Sequence, residues 1–302
     1  MKYFRLFQGL CKKFSSLKKH YKAKVKMLEI LHYSFFQNAL IATVLVSIAC
    51  GVMGSLVMIN RLFSMAGGIT HAAFGGLGIA FYFSLPLMLS VGGFTLLIAL
   101  IVAYLSQNYP HRSDSIIAVI WAFGMAFGLI LIDMSAGYQS DIMAYLFGSI
   151  LAVSSEDLWV LFIADIVFVF LVIIFYKQFV AISFDKEFAL LRGVAVNFFY
   201  YLLIIMIALC IVVCIRAVGL ILIIALLSVP CFIAESYTKR LKAMMILSCL
   251  LSAFFCVLGL CLSYALNLSG SASIIMVACL GFLLSVLGKK FQNQAKFNKI
   301  EP

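Results

Sequence analysis

Apolar residues in this chain run in long unbroken stretches rather than alternating with polar ones. Nine stretches are of membrane-crossing length: about 36–60, 64–84, 86–106, 113–133, 157–177, 195–215, 218–236, 243–266 and 272–288. About 20 apolar residues carry a helix across the ~30 Å hydrocarbon core. Lipid offers the backbone no hydrogen bonds, so each stretch is expected to be helical. The pattern predicts an all-α polytopic membrane protein with about nine transmembrane helices. A further apolar piece, 142–153, is too short to span and reads as a partial or surface helix after the fourth crossing.

Composition sharpens this picture. The chain has 302 residues, 65% hydrophobic and 11% charged, with a mean hydropathy of +1.17. A soluble domain is nearer half apolar and a quarter charged. The numbers exclude a soluble enzyme, a disordered chain and a secreted disulfide scaffold. Of nine cysteines, eight (Cys50, Cys210, Cys214, Cys231, Cys249, Cys256, Cys261 and Cys279) lie in apolar runs, and none forms a CxxC pair. They read as small packing residues between helices, without disulfides. The head of the chain does not read as a cleavable signal sequence, because the apolar run behind it is too long and has no clear cleavage site. There is no GxxxxGK[ST] phosphate loop, so any ATP would have to be hydrolysed by another polypeptide.

Net charge is +11, from 22 basic and 11 acidic residues. Its placement argues against a nucleic-acid partner. Residues 1–26 hold nine basic residues and no acid, which leaves +2 on the rest. With the N-terminus of the body outside, twelve basic residues fall at inner span ends or in the C-terminal tail, and only Arg216 falls outside. The positive-inside rule therefore orients the body N-out and C-in. The basic head then lies on the wrong side. Three readings reconcile it: a true start at Met27, which is preferred; a real exterior extension; or a span count off by one, with the head lying on anionic lipid. The expected organisation is a basic N-terminal extension (1–26), a transmembrane domain (27–290) and a cytoplasmic tail (291–302).

Ionisable residues within a span are costly and so are functional candidates. Asp133, Arg216 and Glu235 sit at span ends, where interfacial solvation explains them. Asp165 lies about eight residues into its span, where pairing with a base, a water-filled cavity and a transport path all remain open. His71 is the most informative, with Gly67, Gly68, Gly75, Gly76 and Gly78 around it. Gly68, Ala72 and Gly76 recur every four residues as a small-residue packing face. An imidazole beside such open space suits a divalent metal; a histidine hydrogen-bonded between helices is the plainer reading. Pro230 interrupts the seventh span and should kink it. Ser183–Gly193 is the most densely charged segment of the body. Ser183 is placed to cap a short surface helix there.

Four stretches now resemble one family. They are Asn38-Ala39-Leu40 through Gly51, Gly54 and Arg61 into Gly67-Gly68-Ile69-Thr70-His71-Ala72; Leu146 to Ser154 with Asp157-Leu158; Phe184 to Gly193; and Val218-Gly219-Leu220 through Ser228-Val229-Pro230. In this order they resemble the permease subunits of bacterial ABC importers for zinc, manganese or iron. The resemblance implies eight or nine spans per subunit, an inner-membrane location and a dimeric pathway. It implies cytoplasmic ABC ATPase subunits and an extracytoplasmic metal-binding protein as partners, and no covalent chemistry or permanently bound cofactor. It casts Phe184, Asp185, Glu187, Arg192 and Gly193 as the ATPase-coupling segment and His71 as the metal-guiding residue. Many members carry an Asp four residues before the His; here that position is Gly67. A lone imidazole tilts the expected cargo towards zinc over manganese or iron(II). A secondary ion-coupled transporter using Asp165 and a permease for siderophores or cobalamin are the rival readings.

Overall fold

The computed structural model describes residues 33–135, 148 and 150–297, with side chains described to residue 290. The basic 1–26 stretch, the Met27 start and residues 298–302 lie outside the described residues, as do 142–147 and 149 of the short apolar piece. Of that piece, Ile150–Ala152 forms a single 3-10 turn.

The chain is a helical bundle: α1 (Ser34–Ile59), α2 (Phe63–Phe83), α3 (Leu87–Asn108), α4 (Ser113–Asp133), α5 (Ser155–Ile174), α6 (Tyr176–Phe184), α7 (Lys186–Leu191), α8 (Val196–Val218), α9 (Leu220–Tyr237), α10 (Leu241–Leu266) and α11 (Gly270–Phe297). Eight of these are both long and apolar enough to cross a membrane. The ninth long helix, α2, has 21 residues, or about 31 Å at 1.5 Å per residue. Five glycines and His71 lower its hydropathy. Most of α2 faces protein rather than lipid, so it needs less apolar surface of its own.

Local chemistry sets the helix ends. Ser154 and Asp157 form a capping box at the start of α5: the Asp157 amide donates to the Ser154 hydroxyl, and the Ser154 amide donates back to Asp157 Oδ2, each at 3.2 Å. α10 ends on Asn267 in the left-handed region, a conformation that Asn tolerates. Arg61 also takes positive φ in the turn from α1 to α2, where Leu62 N–H reaches back to Val57 O at 2.9 Å.

α1 runs through the middle of the bundle, packed by α10, α9, α5 and α8. α2 is clasped by α3 and α4. α4 and α5 are the most peripheral spans, each showing most of its surface to the surroundings. The fifth helix stops at Ile174, short of the expected 177. The chain then turns into α6, a surface helix not anticipated from the sequence. Phe179 of α6 is fully buried, with its ring 5.9 Å from that of Phe199.

At one end, Asn60 Nδ2 donates to Ser183 Oγ at 2.9 Å, Lys186 lies over the Tyr200 ring and Lys242 over the Tyr176 ring. At the other end, Arg216 Nε lies 2.6 Å from Asp157 Oδ1, and Ser271 Oγ donates to Val218 O at 3.3 Å. Basic residues that are scattered in sequence thus gather at one end of the bundle.

Candidate functional site

Helix α2 carries the candidate metal residue, and its glycines explain where that residue sits. Each glycine weakens a helix interior by about 1 kcal/mol relative to alanine. What offsets this is close helix approach. A Cβ on Gly78 would lie 2.5 Å from Gly128 O of α4, and one on Gly76 would lie 2.6 Å from Val91 Cα of α3. On α4, a Cβ on Gly124 would lie 2.7 Å from Ala72 Cα. Gly68 and Ala72 therefore face α4, while Gly76 faces α3. The small-residue stripe is shared between two neighbours.

His71 projects from this helix, half-buried. Its ring stacks on Trp121 of α4, with centroids 4.6 Å apart and planes at 18°. Trp121 Nε1 in turn donates to Met125 Sδ at 2.8 Å. His71 Nδ1 is buried without a hydrogen-bond partner, so a hydrogen-bonded interhelical histidine is not what this nitrogen shows. One turn earlier, a Cβ on Gly67 would meet nothing within 4 Å. The ring is thus held flat by an indole, with one unpartnered nitrogen and free space one turn away. Among the described residues, no three of His, Cys, Asp and Glu gather where this chain alone could hold an ion.

Asp165 is 5% exposed, and neither carboxyl oxygen has a partner. It lies in an apolar groove between α1 and α5, lined by Leu45, Phe162 and Val169 among others. No base faces it. Behind it, the thiols of Cys50, Cys210 and Cys214 are buried close to one another. They are buried as packing residues, Cys50 of α1 against Cys210 and Cys214 of α8.

The charged segment forms the six-residue helix α7. Its cap is Asp185, whose Oδ1 accepts from Phe188 N at 2.9 Å. This corrects the Ser183 cap expected from the sequence. Ser183 closes α6 instead, donating to Phe179 O at 2.7 Å. Glu187 lies in the first turn of α7, Arg192 caps its end with its guanidinium over the Phe188 ring, and Gly193 follows at φ +75°. Ala189 anchors the helix inward, while Phe184, Leu190 and Leu191 are exposed, Leu191 at 88%. Next to this helix, Arg61, Lys186 and Glu235 line a cleft of about 790 Å³. Pro230 is buried inside a continuous α9, where its missing N–H leaves the Leu226 carbonyl without its helical donor.

Two participants escaped sequence reasoning. Trp121 became visible only through its stack on His71, although a tryptophan in mid-span was a signal. The Arg216–Asp157 pair joins residues 59 positions apart; their expected placement at span ends on the same side was the only hint.

Residues 32–289 match the ABC 3 transport family. The chain belongs to that family. Members of the ABC 3 transport family are membrane subunits of transporters, with the ATPase supplied by a separate subunit. The chain is 44% identical over 260 residues to an uncharacterized membrane protein of Synechocystis sp., covering 86% of this chain and 92% of that one. It is 34% identical over 253 residues to the manganese import system permease protein ScaB of Streptococcus gordonii, covering 84% and 91%. Among solved structures, PsaBC from Streptococcus pneumoniae in complex with Fab aligns with a TM-score of 0.78 at 34% identity, covering 86% of this chain and 94% of that one.

Proposed function

We propose that this chain is the permease subunit of an ATP-driven importer that carries manganese(II) into the cytoplasm. The observation that carries the reading is His71: a mid-span imidazole, stacked in place and with an unpartnered buried nitrogen, in a chain of the ABC 3 transport family. Support for manganese as the cargo comes from relatives at 33–34% identity that are named for manganese. The zinc preference drawn from the lone imidazole is therefore given up.

Among the described residues, one chain offers one mid-span imidazole, and the position one turn before it is Gly67 rather than an acid. The ion path in this proposal lies between two copies, each contributing His71. Weak, sparse ligation suits a transported ion, which must leave as readily as it enters. The basic end of the bundle is assigned to the cytoplasm. There an apolar tip, formed by Phe184 at the end of α6 with Leu190 and Leu191 of α7, meets the ATPase, and Arg192 and Gly193 fix the exit from α7. An extracytoplasmic binding protein delivers the ion at the opposite end. Pro230 provides a weak point in α9 at which the helix bends as access switches.

The test is uptake of radioactive manganese by cells expressing His71→Ala, with zinc and iron(II) as competitors. The variant is expected to assemble normally and to lose at least tenfold in uptake. Unchanged uptake removes the ligand role of His71. Preferential competition by zinc removes manganese as the cargo.

A further inference from the structure

The hairpin of α3 and α4 leaves a groove of about 600 Å³ on the bundle surface, within the size range of small-molecule sites. Its lining is graded along the helices. Tyr109, Arg112 and Ser115 lie near the α3–α4 turn, and Leu105, Ile116 and Val119 lie deeper. Ser115 falls in the first turn of α4, and Val119 lies four residues on, about 6 Å further along the axis. Leu105 is one turn inside α3 from Tyr109.

Arg112 is exposed and has no carboxylate partner among the described residues, whose one ion pair is Arg216–Asp157. Asp114, two residues on, does not line the groove. The floor is almost wholly apolar, and Val119 is 68% exposed. The turn belongs to the end of the bundle where the basic residues gather: Pro110 and Gln107 line a cavity together with Asn60 and Lys186.

From this gradient we propose that the α3–α4 groove binds an anionic phospholipid. Its phosphate pairs with Arg112, with the Ser115 and Tyr109 hydroxyls beside it, and one acyl chain lies over Leu105, Ile116 and Val119. An unpaired guanidinium at the lipid–water boundary attracts an anionic headgroup, and an apolar trough directly beneath it accepts the chain of the same molecule. Free phosphate would satisfy only the mouth of the groove. A second protein copy would leave Arg112 without a counter-charge unless it supplied one.

The test uses the full chain in nanodiscs containing equal phosphatidylglycerol and phosphatidylcholine, with retained lipid read by native mass spectrometry. The wild type should retain phosphatidylglycerol preferentially. Arg112→Ala should weaken that preference roughly fivefold, the usual effect of one basic residue at a lipid surface. Val119→Trp, at an exposed position where folding is not at stake, should fill the trough and lower retention of both lipids. Arg61→Ala, which removes another cation at the same end, should change nothing. Three results would each overturn the proposal: equal retention of both lipids by the wild type, an unaltered preference in Arg112→Ala, or a Val119→Cys variant that cross-links between two copies while excluding lipid.

Discussion

Alanine at Gly78 and alanine at Gly67 should move stability in opposite directions, although the two substitutions are chemically identical and lie on the same helix. At Gly78 the new Cβ would sit 2.5 Å from Gly128 O, 2.7 Å from Gly128 Cα and 3.0 Å from its carbonyl carbon. All three are backbone atoms and cannot turn aside. Restoring a contact of about 3.4 Å requires α2 and α4 to separate by about 0.9 Å. A gap of that size forfeits a quarter or more of each dispersion contact it opens. Over a patch equal to two buried side chains this is about 3 kcal/mol, within the cost of overpacking a close interface. Alanine returns about 1 kcal/mol through helix propensity, so the net loss is about 2 kcal/mol. At Gly67 no heavy atom stands within 4 Å, and only the propensity gain of up to about 1 kcal/mol remains. The two variants should therefore differ by about 3 kcal/mol, roughly 5 °C in the melting temperature of the purified 302-residue protein in detergent. Fluorescence-detected unfolding on matched preparations gives the comparison. If Gly78→Ala melts at or above Gly67→Ala, the α2–α4 interface is not held at the backbone distances described, and the placement of His71 on Trp121 fails with it.

Further outcomes follow from the two ends of the bundle. Leu191→Asp should leave the melting temperature unchanged, because the residue is 88% exposed, yet reduce copurification of the ATPase subunit by tenfold or more; retained copurification would remove α7 as the docking element. Asp185→Ala should loosen α7 at a cost of about 1 kcal/mol by removing its cap, so charge reversal there mixes folding with docking, and Leu191 gives the cleaner test. Ser154→Ala should cost about 1 kcal/mol of thermal stability through the lost capping box, whereas Arg216→Gln should cost less, since its guanidinium is 37% exposed and solvent-screened. A larger loss in Arg216→Gln, by the same melting assay, would mean that the ion pair rather than the cap secures the start of α5.

The hydrophobic pattern was legible because lipid imposes a length on every crossing. All nine long helices begin and end within a few residues of the expected positions, apart from the early stop of α5 and the long run of α11. α6 was hidden because its apolar residues merge with the preceding run, and only the packing of Phe179 separates a surface helix from a continued span. The cap of α7 was misplaced because Ser183 and Asp185 are both good capping residues; the choice fell to Asp185 once Asn60 drew Ser183 into the end of α6. The lone imidazole argued for zinc, and the named manganese relatives argue otherwise. Ligand preference belongs to the whole coordination shell, and a single residue in sequence cannot display that shell.

Sequence alone determined that this chain is a bundle of membrane-crossing helices with its positive charge biased to one end. Both properties rest on per-residue transfer energies, which add along the chain whatever the fold. Tertiary structure decided which glycines are contacts and which are open space, that His71 lies flat on Trp121, and that Asp157 meets Arg216. These depend on which helices are neighbours and on how they are rotated about their axes. A chain apolar on nearly every side leaves that rotation to be set by close packing between helices.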